Sequence, residues 1–324
     1  MRQKGAAQKC SPNGSERSDM TVNKADLNYW VYDSEYPLHS NSAILIAGGA
    51  GSGKSYFSYR VIIPIYIKEM GVKTVLIASR TGVFDHTTKT ELEKPVYKGI
   101  SIDFIKISDS YKRCQEIRAQ AIINEYLEQL KDVGSEKELF AIAERYDALL
   151  KNVCDFSYLN DELLKFRRTL DSLLLCELNE VKAYAEMMYI RGNRRSYDPT
   201  VIVFDDYAGT NEFIKPYSDI HKLIYCRRHL HLNMLLLTQS ITAISTNIRR
   251  NISVFVCFST LSERDLQLLK DRLPIKWDMK RLRQAFYSIV DAEKRNDKLL
   301  TIFTVYPNMK IVEGSPACLD RYYG

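Results

Sequence analysis

The run Gly48-Gly49-Ala50-Gly51-Ser52-Gly53-Lys54-Ser55 holds the most tightly specified chemistry in this chain. Its spacing fits G-x-x-x-x-G-K-[ST], in which small residues let successive backbone N–H groups converge on one phosphate. The free amides of a following helix add partial positive charge. Lys54 is expected to reach the β- and γ-phosphates and the Ser55 hydroxyl to ligate Mg²⁺. Tyr56 closes the nucleotide-contacting stretch. A glycine-rich turn with a chance lysine is the plainer reading. Context argues against it: five apolar residues, Ala43 to Ala47, precede the loop as a short buried strand, and helical sequence follows. The expected ligands are a nucleoside triphosphate and Mg²⁺.

Two further segments could complete a reaction. Thr200-Val201-Ile202-Val203-Phe204-Asp205-Asp206 reads as a buried strand ending in two carboxylates. Parallel strands of such sheets end at the ligand crevice, so both acids are expected beside the phosphate loop. Asp205 suits the Mg²⁺ shell, and Asp206 suits a base that orients and deprotonates the attacking water. Asn233 to Gln239 is another strand, with an amide at its end. Gln239 can sense the γ-phosphate or the lytic water, although a strand-ending glutamine of no further consequence fits the residues equally well. Two basic clusters, Arg191, Arg194 and Arg195, and Lys276, Lys280, Arg281 and Arg283, are candidates for sequence-independent contacts to the phosphates of a polyanionic partner such as nucleic acid. Charge clusters of this kind are more often solvated faces.

The elements that must position these groups read as an α/β chain. Lys73–Ala78 is a second strand, Ile100–Ile107 a third, and Val254–Phe258 follows Met234–Leu237. Strands alternating with helices predict a doubly wound, mainly parallel sheet. From 110 to 195 the character changes to three helical stripes. Ile123, Tyr126, Leu127 and Leu130 form one; Leu139, Ile142, Ala143, Tyr146, Leu149, Leu150 and Val153 another; Leu163, Phe166, Leu170, Leu173, Leu174 and Val181 the third. This predicts a helical insertion in a nucleotide-binding domain spanning 29–324. Residues 261–324 supply terminal helices and a hairpin from Leu299–Phe303 to Ile311–Val312, with Asn308 in its turn. Residues 1–28 are polar and mildly basic and read as a disordered tail. The Tyr29–Tyr32 aromatics fit packing beside the first strand better than a base platform.

Composition narrows the class. With 324 residues, 45% hydrophobic and 27% charged, the chain has the make-up of a globular protein. A net charge of +6 permits a polyanionic partner without requiring one. The 7 cysteines are scattered without a Cys-x-x-Cys pair, which argues against a zinc site or disulfide framework and for a reducing, intracellular compartment. His229 and His231 lack neighbouring ligand types, so a metal there is not expected. No apolar run approaches the roughly 18 residues that span a bilayer, and the N-terminus lacks the apolar core of a secretory signal.

The succession GGAGSGKS, VIVFDD, CRRHLHLNMLLLTQS and NIRRNISVFVCFS resembles the genome-packaging ATPases of poxviruses and other large cytoplasmic DNA viruses. These form a branch of the FtsK–HerA class of DNA-pumping P-loop NTPases. The resemblance runs from about Ala43 to Pro274, outside most of the helical block. It implies an ATPase of the RecA/FtsK–HerA fold that translocates double-stranded DNA into a preformed capsid. The implied assembly is a homo-oligomeric ring, pentamer or hexamer, docked on a capsid or portal-vertex protein at viral assembly sites in host cytoplasm or nucleus. It strengthens Gln239 as the sensor. It also singles out Arg228, eleven residues earlier, as an arginine serving a neighbour's site, with Arg249 as runner-up. Asp206 stands where the wider class often has glutamate, and the helical block looks longer than in the compact poxvirus proteins.

Three rival readings remain on sequence grounds. Asn23-Lys24-Ala25-Asp26 and Asp206-Tyr207-Ala208-Gly209 match the N-K-x-D and D-x-x-G patterns of a circularly permuted regulatory GTPase. The polar run before Asn23 cannot supply the strand that would hold the first motif. A scaffold that assembles on bound nucleotide would not need two adjacent carboxylates. A small-molecule kinase leaves the Gln239 and Arg249 segments without a role.

Overall fold

The computed structural model describes residues 40–79, 86–153, 168, 172–189, 198–258, 261–272, 278–280, 282–283, 300–304 and 311–314. Six parallel strands form the body of an eight-stranded sheet: β1 (Ala43–Ala47), β2 (Thr74–Ser79), β3 (Ser101–Phe104), β4 (Thr200–Asp205), β5 (Leu232–Thr238) and β6 (Val254–Phe258). The antiparallel hairpin β7 (Leu300–Thr304) and β8 (Ile311–Gly314) extends the edge next to β6. The order is β3-β2-β4-β5-β1-β6-β7-β8. The expected mainly parallel sheet and the terminal hairpin are both present. Asn308 and the N-terminal segment 1–39 lie outside the described residues. The third strand is shorter than its apolar pattern predicts, because Ile107 begins a 3₁₀ turn that leads into the next helix.

Every residue of β1, β4, β5 and β6 is buried. They read as unbroken apolar runs because helices cover both faces of a parallel sheet. One face presents Leu45, Ile202, Phe204 and Leu236, and the other Ile44, Ile46, Val203 and Leu237. On the second face lies α1, which opens at Lys54–Phe57, passes through a π-helical turn at Ser58–Ile62 and continues as Ile63–Met70. Pro64 accounts for the wide turn: it offers no N–H to the Arg60 carbonyl, and its ring would clash with that carbonyl in a regular helix. Gly71, at φ 68°, ends the helix in the left-handed conformation that glycine adopts without strain.

The helical block begins with α2 (Ser110–Lys131), followed after Gly134 by α3 (Glu136–Val153) and later by α4 (Leu178–Tyr189). At 22 residues, α2 is about 33 Å long, and it serves two cores. Tyr111, Cys114 and Ile117 pack with the sheet, whereas Ile122, Tyr126, Leu127 and Leu130 pack with Leu139, Tyr146 and Leu150 of α3 and Val181 and Ala185 of α4. The first two stripes are therefore found, except that Leu149 is exposed and the Val153 side chain is outside what the structure describes. Leu173 and Val181 of the third stripe are buried, while Leu163, Phe166 and Leu170 lie outside the described residues.

Candidate nucleotide site

Parallel register brings the ends of three strands to one edge of the sheet. Ala47 pairs with Thr238, and Asp205 pairs with Leu237. The Gly48 N–H donates to the Thr238 carbonyl at 3.1 Å, which carries the β1–β5 ladder into the loop. Because β5 lies between β1 and β4, Gln239 stands between the phosphate loop and the two carboxylates. The three segments singled out by sequence therefore meet at one edge.

The loop's geometry depends on its small residues. Gly51 and Gly53 have φ of 71° and 98°, a region that costs other residues strain. A Cβ on Gly48 would sit 2.7 Å from both Phe258 Cβ and Ser52 Oγ. Ser52 Oγ is buried without a hydrogen-bond partner among the described residues. Lys54 Nζ donates to the carbonyls of Gly48 and Gly49, each at 2.9 Å, so the ammonium lies within the loop's concavity. Burial pulls its pKa down, while the charges of Asp206 and then Asp205 pull it up. A loop of small residues, an orphaned hydroxyl and one buried cation fit a polyphosphate.

Ser55 Oγ donates to Asp205 Oδ2 at 3.2 Å. This hydroxyl–carboxylate pair is the hard-oxygen donor set that suits Mg²⁺. Asp205 is buried and Asp206 exposed. Asp206 has φ 59°, unusual for a residue with a Cβ. Just beyond the strand end, its charge acts on Lys54 more strongly than that of Asp205 does.

Gln239 is exposed. The loop behind it is held firmly. Thr238 Oγ1 donates to the Ser240 carbonyl at 2.7 Å and accepts from the Ser240 N–H at 3.1 Å. Arg249 belongs to the short helix Thr246–Arg250, and its Nη1 donates to the carbonyls of Ile241 and Ile244 at 3.2 and 2.5 Å. Its Nη2 donates to Thr246 Oγ1 at 2.9 Å. With its donors turned onto its own loop, Arg249 is placed as a clamp, and this geometry disfavours the trans-acting role considered for it.

Arg228 lies at the opposite edge. Its neighbour Arg227 donates from Nε to the carbonyl of Asn41, just before β1. The five-residue β1 spans about 17 Å, so Arg228 cannot serve the phosphate loop of its own chain. It is exposed; its carbonyl accepts from the His231 N–H at 3.4 Å, while its guanidinium makes no hydrogen bond or ion pair among the described residues.

The candidate DNA contacts are the least defined. Arg191, Arg194, Arg195, Lys276 and Arg281 lie outside the described residues. Lys280 is exposed, and Arg283 Nε donates to Glu263 Oε1 at 2.9 Å, so Arg283 is already ion-paired. Among the described residues no group of acidic, histidine and cysteine side chains has the make-up of a metal cluster, His229 and His231 included. No helix among them is long and apolar enough to cross a membrane.

Residues 160–320 match the family model described as Poxvirus A32 protein. That span includes Asp205, Asp206, Arg228, Gln239 and Arg249, and the phosphate loop precedes it. No curated protein matches the chain. Among solved structures, the genome packaging NTPase B204 from Sulfolobus turreted icosahedral virus 2, in complex with ATP-gammaS, is similar at 13% identity and TM-score 0.38, covering 84% of this chain and 98% of that one. The cytoplasmic domain of the Thermomonospora curvata type VII secretion ATPase EccC is similar at 12% identity and TM-score 0.42, covering 86% of this chain and 26% of that one. Likenesses this distant say nothing about what this chain binds.

Proposed function

We propose that this chain, whose second half carries the sequence pattern of the Poxvirus A32 family, is an ATP-hydrolysing motor subunit that drives double-stranded DNA into a preformed capsid. The observation that supports the ATPase reading best is the meeting of Lys54, the Ser55–Asp205 pair, Asp206 and Gln239 at one sheet edge. Backbone amides of residues 48–53 and the Lys54 ammonium hold the phosphates. Asp206 accepts a proton from water as that water attacks the γ-phosphorus and the bond to the β-phosphate oxygen breaks. Gln239, facing the same crevice, orients the water. Ser55 and Asp205 would hold Mg²⁺, which neutralises charge on the phosphates when bound.

DNA as the cargo, a pentameric or hexameric ring, and a capsid or portal-vertex partner follow from the resemblance, and the exposed Arg228 is consistent with a site completed by a neighbour. The test is ATP turnover with and without double-stranded DNA, alongside DNA binding across salt. The proposal expects DNA to stimulate turnover, and affinity to fall steeply with salt while hardly varying with sequence. Turnover indifferent to DNA at every protein concentration would remove DNA from the proposal while leaving the ATPase reading. The permuted GTPase reading rests on Asn23–Asp26, outside the described residues, and comparing ATP with GTP turnover separates the two.

A further inference from the structure

Gln239 is exposed, yet the segment behind it is tied to a helix well downstream in the chain. That helix, α5 (Glu263–Lys270), opens with Ser262 and carries Asp265 in its first turn. The Asp265 side chain is 2% exposed and accepts four hydrogen bonds. Oδ1 takes Ser240 Oγ at 2.7 Å and the Thr242 N–H at 3.0 Å. Oδ2 takes the Ser262 N–H at 3.3 Å and Ser262 Oγ at 2.7 Å. Capping the helix needs only Oδ2. Oδ1 is directed entirely to the loop that follows Gln239, and no ion pair compensates the charge among the described residues.

We infer that Asp265 is the positioning residue for Gln239, an inference that rests on the sensor role proposed above. The carboxylate fixes Ser240 and Thr242 from one side and the Arg249 guanidinium fixes Ile241 and Ile244 from the other. Gln239 is thereby the short arm of a clamped loop. A loosened clamp lets the amide sample orientations that do not meet the water, which costs rate without costing nucleotide affinity. Asparagine cannot replace the carboxylate. One of its two terminal atoms is an N–H₂, which faces an N–H donor at either the Thr242 or the Ser262 end.

The experiment compares kcat and KM for ATP in Gln239→Ala, Asp265→Asn, Ser262→Ala and the Gln239→Ala/Asp265→Asn double variant, below each protein's Tm. Asp265→Asn is expected to lower kcat about tenfold or more with KM within about threefold, the signature of an interaction needed in the transition state. Ser262→Ala, which removes only the capping side, should lower Tm yet keep kcat within about twofold of the parent. In the Gln239→Ala background, Asp265→Asn should cost nothing further, because contacting residues in one network are not additive. Ser240→Ala, which removes one Oδ1 partner together with the hydroxyl that caps the Ile241–Ala243 turn and leaves the α5 cap intact, should show the same pattern more weakly and serves if Asp265→Asn does not fold. An impaired Gln239→Ala beside normal kcat in Asp265→Asn or Ser240→Ala, or losses that multiply in the double variant, would overturn the inference alone. A Gln239→Ala protein with unchanged kcat would overturn the sensor reading and this inference with it.

Discussion

Asp206 occupies left-handed backbone at φ 59°, a conformation that costs a residue with a Cβ on the order of 1–3 kcal/mol unless the surroundings enforce it. The strained residue directly follows the buried Asp205 and is itself exposed. Replacing Asp206 by glycine removes that strain, although glycine loses more backbone entropy on folding. Asp206→Gly is therefore expected to hold or raise Tm while losing nearly all ATP turnover; a several-degree fall in Tm would show that the aspartate side chain stabilises the fold. Two adjacent acids after a strand were legible because their spacing is local. The disposition of Arg249 was not, because two of its three acceptors are backbone carbonyls, which leave no mark in side-chain types.

Short apolar runs bounded by glycine and charge located β1, β2, β4, β5 and β6 almost residue for residue, since a strand buried on both faces needs nothing else. The π-helical turn of α1 and the Asp265 clamp escaped sequence reading for different reasons. One arises from a proline inside an otherwise regular helix, four residues after the carbonyl that it leaves without a donor, the other from partners far apart in sequence. His221 is a third case. In the helix Asp219–Cys226, its Nδ1 lies 2.8 Å from Ser218 Oγ and its Nε2 2.8 Å from Ser245 Oγ. Because Ser218 Oγ donates to the Glu212 carbonyl, it accepts from Nδ1–H, and Nε2 accepts from Ser245. Burial lowers the His221 pKa, so the unfolded chain binds this proton more readily than the fold. The resulting stability is present above the unfolded value of about 6.5 and is lost as pH falls through the lower, folded value. Thermal unfolding from pH 7.5 to 5 should show a Tm decline that His221→Gln reduces; parallel curves would assign the acid sensitivity to other groups.

At the scale of the whole molecule, α2 joins the helical block rigidly to the sheet, and Arg118 on it donates from Nε to the His229 carbonyl at 3.1 Å, beside Arg228. The turn carrying Arg228 is thus braced on the edge remote from its own phosphate loop. An arginine supplied to a neighbour's site contributes about 10³–10⁵ in rate. Arg228→Ala is expected to bind ATP nearly normally and turn over poorly. Mixing it with Lys54→Ala should restore activity, since a Lys54→Ala subunit can offer an intact Arg228 to a neighbour's intact phosphate loop. No recovery in assemblies shown to be mixed would remove Arg228 from catalysis. In the proposed function one sheet edge binds and hydrolyses ATP through separable residues. The most direct test is Mg·ATP affinity together with single-turnover phosphate release for the parent protein, Lys54→Ala and Asp206→Asn. Lys54→Ala should lose binding and release together, whereas Asp206→Asn should keep ATP affinity within about threefold and lose release by about a hundredfold or more, because an amide cannot take the water's proton. Equal loss of binding in both variants, or undiminished release from Asp206→Asn, would contradict the account.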